Sequence, residues 1–310
     1  MKLGLALAGG GVKGAAHIGV LKALEENGIH VDYIGGTSIG SIVASLYAMG
    51  YSPDIILEIC RLSAKEVMKT DAGYFASNFK NYKRILGSGL LSGETIEDVI
   101  KQCARERNII DINDIEMPIV IPTVDIAKSK KYVFTNRDLQ GDYYIKEGLI
   151  EKAVRASASY PGVFAPCEYM NHKFVDGGII DNLPAREVRK LGADKVLSIK
   201  FANDLENDPK SIYEVVFKSI DILFEARVKE AYEQSDLVID LELPEANLFN
   251  VKKVDYCYNI GYATTIAKMD EIKALLEEWH ICVILLLLNI KYTKLHKGGN
   301  DNVWIHSRRW

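Results

Sequence analysis

The residues of this chain that could do chemistry lie in three short motifs. The first is the glycine-rich stretch GGGVKG at residues 9–14, which follows an apolar run and precedes an amphipathic one. The second is GTSIG at residues 36–40, centred on Ser38, and the third is DGG, which begins with Asp176. Together the three motifs offer an anion-binding loop, a nucleophile and a carboxylate.

The glycine loop is compatible with two kinds of ligand. Its spacing matches G-x-G-x-x-G between a predicted strand and a predicted helix, and Asp32 follows where the ribose-binding acid of a dinucleotide site would lie. Glycines also let backbone N–H groups face an anion at a helix N-terminus, and the oxyanion of an acyl-transfer intermediate is such an anion. A P-loop is disfavoured because no Gly-Lys-Ser/Thr completes it. The loop alone leaves a pyrophosphate and a reacting ester as alternatives.

The GTSIG motif favours the ester. Gly36 and Gly40 flank Ser38 between a predicted strand and a predicted helix, which is the context of a nucleophile elbow. The flanking glycines allow a tight turn, and the helix dipole favours negative charge at that helix end. We therefore predict that Ser38 is the nucleophile of an acyl-transfer site. The alternative is a dinucleotide-binding oxidoreductase that uses the glycine loop and Asp32.

A serine nucleophile needs a base, and histidine is the usual one. Of the six histidines in the chain, only His172 lies near a late predicted strand end, shortly before the DGG motif. We interpret His172 as structural. Gly177 and Gly178 give Asp176, at a predicted strand end, a flexible and sterically open backbone. A carboxylate can itself act as the base of a serine nucleophile, so Asp176 is predicted to be the base of a serine–aspartate dyad.

These motifs together resemble the patatin-like phospholipase family, whose pattern is a G-G-G-x-[KR]-G loop, a G-x-S-x-G elbow and a late D-G-[GA]. The blocks VRASASYPGVFAP at 154–166 and DGGIIDNLPA at 176–185 are also similar to the family. The resemblance covers about residues 3–279. It implies hydrolysis of lipid acyl esters by Ser38 and Asp176 without a metal or a cofactor. It also implies a three-layer α/β/α sandwich around a mainly parallel central sheet.

The resemblance further assigns an oxyanion hole to the glycine loop. The residues concerned are Gly9, Gly10, Gly11, Val12 and Gly14. Backbone N–H groups of residues 10–12 are expected to hold the oxyanion, and Lys13 is expected to fix the loop or to meet the substrate headgroup. We interpret Ser157 and Ser159 as helix-end hydroxyls that bond to the backbone.

Hydrophobic patterning predicts the elements that must position these motifs. Leu3–Ala8 and Val31–Gly35 are predicted strands, and residues 14–27 and 41–49 are predicted helices, so the chain begins βαβα and favours a parallel sheet with helices on both faces. Further strands are predicted at Met117–Ile126, Lys131–Thr135, Lys173–Val175, Lys195–Lys200 and Leu237–Leu243, and further helices at Pro53–Glu66, Ser92–Arg107, Leu149–Ser157, Ser211–Gln234 and Asn259–Glu278. Without a repeat or a linker, we predict one domain over residues 3–279 and a tail of unclear role at 280–310.

Composition and the start of the chain bear on nucleic-acid binding, on disulfide or zinc sites and on cellular location. A net charge of −4 over 310 residues provides no global basic field for nucleic acid. Five cysteines without a CxxC motif disfavour a disulfide framework or a zinc site and fit a reducing compartment. Because the chain runs from Lys2 directly into a predicted strand, no signal peptide is expected and we predict a cytoplasmic location.

Two stretches bear on membrane contact. ICVILLLLNI at 281–290 is shorter than the about 20 residues that a membrane-spanning helix needs, so we interpret it as a buried segment. YFASNFKNYKRIL at 74–86 is predicted to be an amphipathic surface helix, with a lid or a contact with lipid headgroups as the alternative. The expected partner is a lipid or acyl-ester substrate, with peripheral contact to a membrane left open. An acyltransferase with the same dyad and a non-catalytic lipid-binding protein are the alternative functions.

Overall fold

A computed structural model gives the fold of the chain. It describes residues 1–63, 91–202, 208, 212–246 and 250–277. The predictions made for residues 74–86, for residues 281–290 and for the tail lie outside the described residues.

The described strands form one nine-stranded sheet. They are β1 Leu3–Leu7, β2 Tyr33–Gly36, β3 Ile119–Asp125, β4 Lys130–Thr135, β5 Tyr144–Ile145, β6 Cys167–Tyr169, β7 His172–Asp176, β8 Lys195–Phe201 and β9 Leu237–Leu241. The order along the sheet is β5-β4-β3-β2-β1-β8-β9, with β7 joined to β3 and β6 to β7. The five strands from β3 to β9 along this path are parallel, whereas β4 and β7 run antiparallel to β3.

Helices cover both faces of this sheet. They are α1 Ala15–Glu26, α2 Ile39–Ala48, α3 Glu94–Glu106, α4 Ile150–Ser157, α5 Gly178–Asp181, α6 Ala185–Lys190, α7 Ile212–Gln234 and α8 Val254–Ala267. Residues 53–63 and 269–277 are also helical, and short 3-10 turns occupy Gly11–Gly14, Ile112–Asp114 and Val251–Lys253.

The two sides of β1 show why the protein is layered. Leu5 and Leu7 belong to the larger apolar core, which includes α1, α2 and α8, whereas Ala6 and Ala8 belong to a second core with α6 and α7. Successive residues of a strand point to opposite faces, so a strand buried on both faces is apolar throughout. The predicted α/β architecture, a mainly parallel sheet between helices, is confirmed.

The final helix differs from its prediction. The sequence predicts one helix over Asn259–Glu278, whereas α8 begins at Val254 and ends at Ala267, and after a turn at Lys268 the chain is helical again over residues 269–277. The early turn is stabilised by burial of Val254 and Cys257 in the larger core. Packing against the core thus extends a helix into a stretch whose residue pattern alone does not predict one.

Candidate active site

Strands β2 and β7 both pair with β3, and their carboxyl ends meet near its middle. β2 pairs in parallel with the first half of β3, where Gly35 lies opposite Val120, and β7 pairs antiparallel with the second half, where Asp176 lies opposite Thr123. β4 occupies the other edge of β3. The carboxyl ends of β2 and β7 therefore meet beside Pro122, which lacks a backbone donor for a ladder hydrogen bond. The GTSIG and DGG motifs follow these two ends and are brought together.

Ser38 lies on a strained turn between β2 and α2. Its φ is 55° and its ψ is −126°, a conformation that costs a non-glycine residue of the order of 1–3 kcal/mol. Thr37 anchors the turn by donating its N–H to the carbonyl of Leu7 at 3.1 Å. A Cβ on Gly40 would overlap that same carbonyl oxygen, so a glycine is needed where α2 begins against the end of β1. This is the strand-to-helix geometry that the sequence predicts for the motif.

Ser157 joins the Ser38 turn to β3. The backbone N–H of Ser38 donates to Ser157 Oγ at 3.1 Å, and the Ser157 hydroxyl donates to the carbonyl of Pro122 at 2.6 Å. The Ser159 hydroxyl donates to the carbonyl of Arg155 at 2.7 Å. Both serines are helix-end hydroxyls bonded to the backbone, as predicted.

Asp176 is buried at the end of β7. Its Oδ1 accepts the N–H of Gly178 at 2.8 Å, and its Oδ2 has no hydrogen-bond partner in the described part of the chain. Burial raises the pKa of Asp176 to about 7, against the opposing effects of the Ser38 hydroxyl and the Gly178 N–H. The Ser38 hydroxyl is thus near this carboxyl group without forming a regular hydrogen bond to Oδ2. Hydrogen bonds of this kind often shorten only in the complex with substrate.

Gly9, the first residue of the glycine loop, is bound to the segment that follows the DGG motif. Its N–H donates to the main-chain oxygen and to Oδ1 of Asn182, each at 3.2 Å. A Cβ on Gly9 would lie 2.9 Å from the Cβ of Ser38, so the loop backbone passes directly beside the serine. Because the Gly9 N–H is already bonded, an anion at this loop has to be held by the N–H groups that follow it.

Those following N–H groups lie at the start of the 3-10 turn Gly11–Gly14. Gly11 has a φ of 57°, in the left-handed region that favours glycine. The first N–H groups of any helical turn have no acceptor within that turn. A Cβ on Gly14 would overlap Ile39, so the turn packs against the first residue of α2. The loop and the Ser38 turn are therefore neighbours.

His172 lies away from this meeting point. It begins β7, the strand that ends with Asp176. Its Nδ1 lies 2.7 Å from Oδ2 of the buried Asp125, and its ring stacks on Phe174 with 5.0 Å between centroids. These contacts agree with a structural role.

Asp32 lies at the wrong end of β1 for a dinucleotide site. Its Oδ2 accepts the N–H of Leu3 at 2.8 Å, at the beginning of the strand, whereas the glycine loop follows the end of that strand at Leu7. An acid that binds ribose has to lie at the carboxyl edge of the sheet, near the loop. The dinucleotide alternative therefore loses its acidic residue.

A polar group beside the site was not predicted from the sequence. The hydroxyl of Tyr160 donates to Oδ1 of Asp221 at 3.2 Å. Burial raises the pKa of Asp221, and the Tyr160 hydroxyl and the nearby charge of Lys13 oppose that rise. Asp221 and Phe224 both belong to α7. Phe224 packs against the DGG motif, since a Cβ added to Gly178 would lie 2.6 Å from its ring. The only sequence signal for α7 is its helical pattern, which says nothing about where the helix docks.

No helix within the described ranges is both long enough and apolar enough to cross a membrane.

The fold and the two converging motifs define an α/β protein whose serine lies on a strand-to-helix turn of the nucleophile-elbow type. The family model for patatin-like phospholipases matches residues 5–189. The chain therefore belongs to the patatin-like phospholipase family.

Relatives of known name match about two thirds of the chain. Patatin-like phospholipase domain-containing protein 6 of Mus musculus is 33% identical over 208 residues, which cover 66% of this chain and 14% of that protein. Lysophospholipase NTE1 of Mycosarcoma maydis is 31% identical over 211 residues, 68% of this chain and 10% of that protein. The chain thus corresponds to a small part of the length of these relatives. The crystal structure of VipD from Legionella pneumophila has a TM-score of 0.49 at 14% identity, covering 87% of this chain and 67% of VipD.

Proposed function

We propose that this chain is a lipid acyl hydrolase in which Ser38 is the nucleophile and Asp176 the base. The observation that carries the proposal is the buried Asp176 Oδ2, which has no hydrogen-bond partner in the described part of the chain, beside a serine on a strained turn. A buried carboxylate oxygen without a donor is costly, and such groups are concentrated at functional sites. The names of the relatives, a patatin-like phospholipase and a lysophospholipase, support a phospholipid or lysophospholipid ester as the substrate.

In the first half of the reaction, the Ser38 hydroxyl attacks the acyl carbonyl and gives its proton to Asp176 Oδ2. The Gly178 N–H bond to Oδ1 keeps the carboxyl group oriented with its second oxygen available. The oxyanion of the tetrahedral intermediate is held by N–H groups of residues 10–12, at the start of the glycine turn. The dipole of α2, which begins next to Ser38, favours the same negative charge. The alcohol leaves with the proton from Asp176, and the acyl group remains on Ser38.

In the second half, water attacks the acyl-serine ester. Asp176 takes a proton from this water and then returns it to the Ser38 oxygen as the fatty acid leaves. Atoms and protons balance over the two halves, with one ester and one water consumed and one alcohol and one acid formed. A general base is most effective when its pKa lies near the working pH, and burial raises the pKa of Asp176 to about 7.

Labelling with a fluorophosphonate, read out as intact mass, tests the assignment. We expect a single adduct on the wild type, none on Ser38→Ala and slow labelling of Asp176→Asn. Ser45→Ala is the matched control, because Ser45 is a buried serine of α2 whose hydroxyl has no hydrogen-bond partner in the described residues. It should label like the wild type.

Product analysis completes the test. Lysophosphatidylcholine should release free fatty acid with the wild type and not with Ser38→Ala. Ester hydrolysis at the wild-type rate by Ser38→Ala would refute the proposal. Transfer of the acyl group to an added alcohol, in place of release to water, would assign the same dyad to an acyltransferase.

A further inference from the structure

Among the side chains of the described residues, the hydroxyl of Ser157 is the one that accepts the backbone N–H of Ser38. Ser157 is the last residue of α4 and is fully buried. A serine hydroxyl has one hydrogen to donate and two lone pairs to accept with. Its hydrogen is directed to the carbonyl of Pro122 at 2.6 Å, which leaves a lone pair for the Ser38 N–H at 3.1 Å. The donor and the acceptor functions are therefore both used.

The chain from Ser157 to Ser159 also reaches Asp176. The backbone N–H of Asp176 donates to the carbonyl of Ser159 at 3.0 Å. One short segment at the end of α4 thus bonds to the main chain of both Ser38 and Asp176. The same segment is also bonded to Pro122 of β3, through the Ser157 hydroxyl. β3 is the strand with which both β2 and β7 pair.

We propose that Ser157 is a positioning residue, which holds the strained Ser38 turn in register with Asp176 through hydrogen bonds to Ser38 and Pro122. This inference rests on the proposed function of Ser38 and Asp176. The Ser157 hydroxyl does not touch the substrate. Without it, the Ser38 N–H and the Pro122 carbonyl each lose a hydrogen-bond partner, and the turn can relax from its φ of 55° toward an ordinary conformation. Relaxation moves the serine oxygen relative to Asp176 Oδ2.

Ser157→Ala tests the bond by its effect on the chemical step. A displacement of about 1 Å at a reacting group can cost about 100-fold in rate. We expect kcat for a soluble acyl ester to fall about 10- to 100-fold, with KM changed less than about threefold, and fluorophosphonate labelling to slow in parallel. Ser45→Ala removes a buried hydroxyl that has no partner in the described residues, and its kcat should equal that of the wild type.

Two further variants separate hydrogen bonding from packing and remain informative if Ser157→Ala does not fold. Ser157→Thr keeps a hydroxyl and adds a methyl group, whereas Ser157→Cys nearly keeps the volume but bonds only weakly. The proposal predicts that kcat of Ser157→Thr exceeds that of Ser157→Cys by about fivefold or more. A packing role predicts the opposite order, because the added methyl group strains a buried site.

The Ser157 variants and Ser38→Ala test two different claims, the positioning role and the dyad, and their results can be told apart. If Ser38→Ala abolishes activity while Ser157→Cys keeps the wild-type kcat or exceeds Ser157→Thr, the positioning role is wrong and the dyad stands. If Ser38→Ala keeps the wild-type activity, the dyad itself is wrong.

Discussion

Gly9 donates its N–H to both oxygens of Asn182, at 3.2 Å each, and this bond ties the glycine loop to the segment that follows Asp176. The Asn182 Oδ1 atom would also lie 2.6 Å from a Cβ on Gly9 and 2.9 Å from a Cβ on Gly178. The side chain of Asn182 therefore fills the space between the first and the third motif.

Gly9→Ala should disturb the loop and leave the rest of the fold in place. The added Cβ would lie 2.6 Å from Asn182 Oδ1 and 2.9 Å from the Cβ of Ser38, so the loop must move. This movement displaces the N–H groups of residues 10–12, the proposed oxyanion donors, and because loss of one such donor typically costs about 100- to 1000-fold in kcat, we expect a loss of at least the lower value. Steady-state hydrolysis of a soluble acyl ester measures it.

Gly50→Ala is the matched control for this change. Gly50 has a φ of 83° with open space around it, so alanine there strains the backbone without touching the site. We expect a modest loss of thermal stability and an unchanged kcat. Equal rate losses in the two variants would show that the Gly9 effect is not specific to the loop.

The rate should depend on pH through Asp176. The carboxyl group accepts a proton only when ionised, and burial raises its pKa to about 7. We therefore expect log kcat/KM to rise with slope one as pH increases toward about 7 and to level off above it. The fluorophosphonate labelling rate should follow the same curve. A rate that is constant from pH 5.5 to 8.5 would contradict a base with this pKa.

Asp176→Asn should stabilise the protein while it removes activity. The pKa of Asp176 is about 7 in the folded state and near the ordinary aspartate value of 3.8 in the unfolded chain, so between these pH values the folded state binds more protons. Stability therefore falls as pH rises from about 4 to about 7, and ionised Asp176 destabilises the fold at pH 8. We expect asparagine to add roughly 1–4 kcal/mol to the free energy of unfolding at pH 8.

The control for that gain is the same comparison at low pH. Near pH 5 the wild-type carboxyl group is already neutral in the folded state, so the difference between the two proteins should shrink. Urea denaturation at both pH values measures it. A gain that is equal at pH 5 and pH 8 would assign the effect to hydrogen bonding or packing and not to ionisation.

Local features of the site could be predicted from the sequence. The glycine pattern at residues 9–14, the small residues around Ser38 and the DGG turn each act within a few residues of the chain, and short apolar runs give β1 and β2. Such features depend on backbone sterics and periodicity, which a single segment contains.

The partners of these motifs could not be predicted in the same way. Asp176 meets Ser38 because β7 pairs with β3 so that Asp176 lies opposite Thr123, and no local pattern encodes that register. Asn182 and Asp221 become neighbours of the site through contacts between distant segments of the chain. The sequence also placed Gly9 in the oxyanion hole by its motif, whereas its N–H is taken by Asn182, a bond visible only in three dimensions.

A partly buried charge cluster supports the other side of the Ser38 turn. Lys131 on β4 lies 2.9 Å from Asp181 Oδ2 and 2.8 Å from Glu187 Oε1. Burial would lower the pKa of Lys131, but the two carboxylates hold it above its ordinary value. The hydroxyl of Thr37, next to Ser38, donates to the main-chain oxygen of Asp181 at 2.8 Å. The cluster thus anchors the helix that carries Asp181 against both β4 and the turn.

Lys131→Met should therefore destabilise the fold, because it removes the cation that the buried Glu187 and the partly buried Asp181 share. Breaking a buried ion pair by deleting one partner costs about 3–5 kcal/mol, and because Lys131 and Asp181 are partly exposed, urea denaturation should show a loss near the lower end of this range. Lys130→Met is the matched control on the same strand, since Lys130 pairs with the exposed Asp142 at 2.7 Å. An exposed pair contributes at most about 1 kcal/mol. Similar losses in the two variants would mean that burial does not govern the strength of the Lys131 cluster.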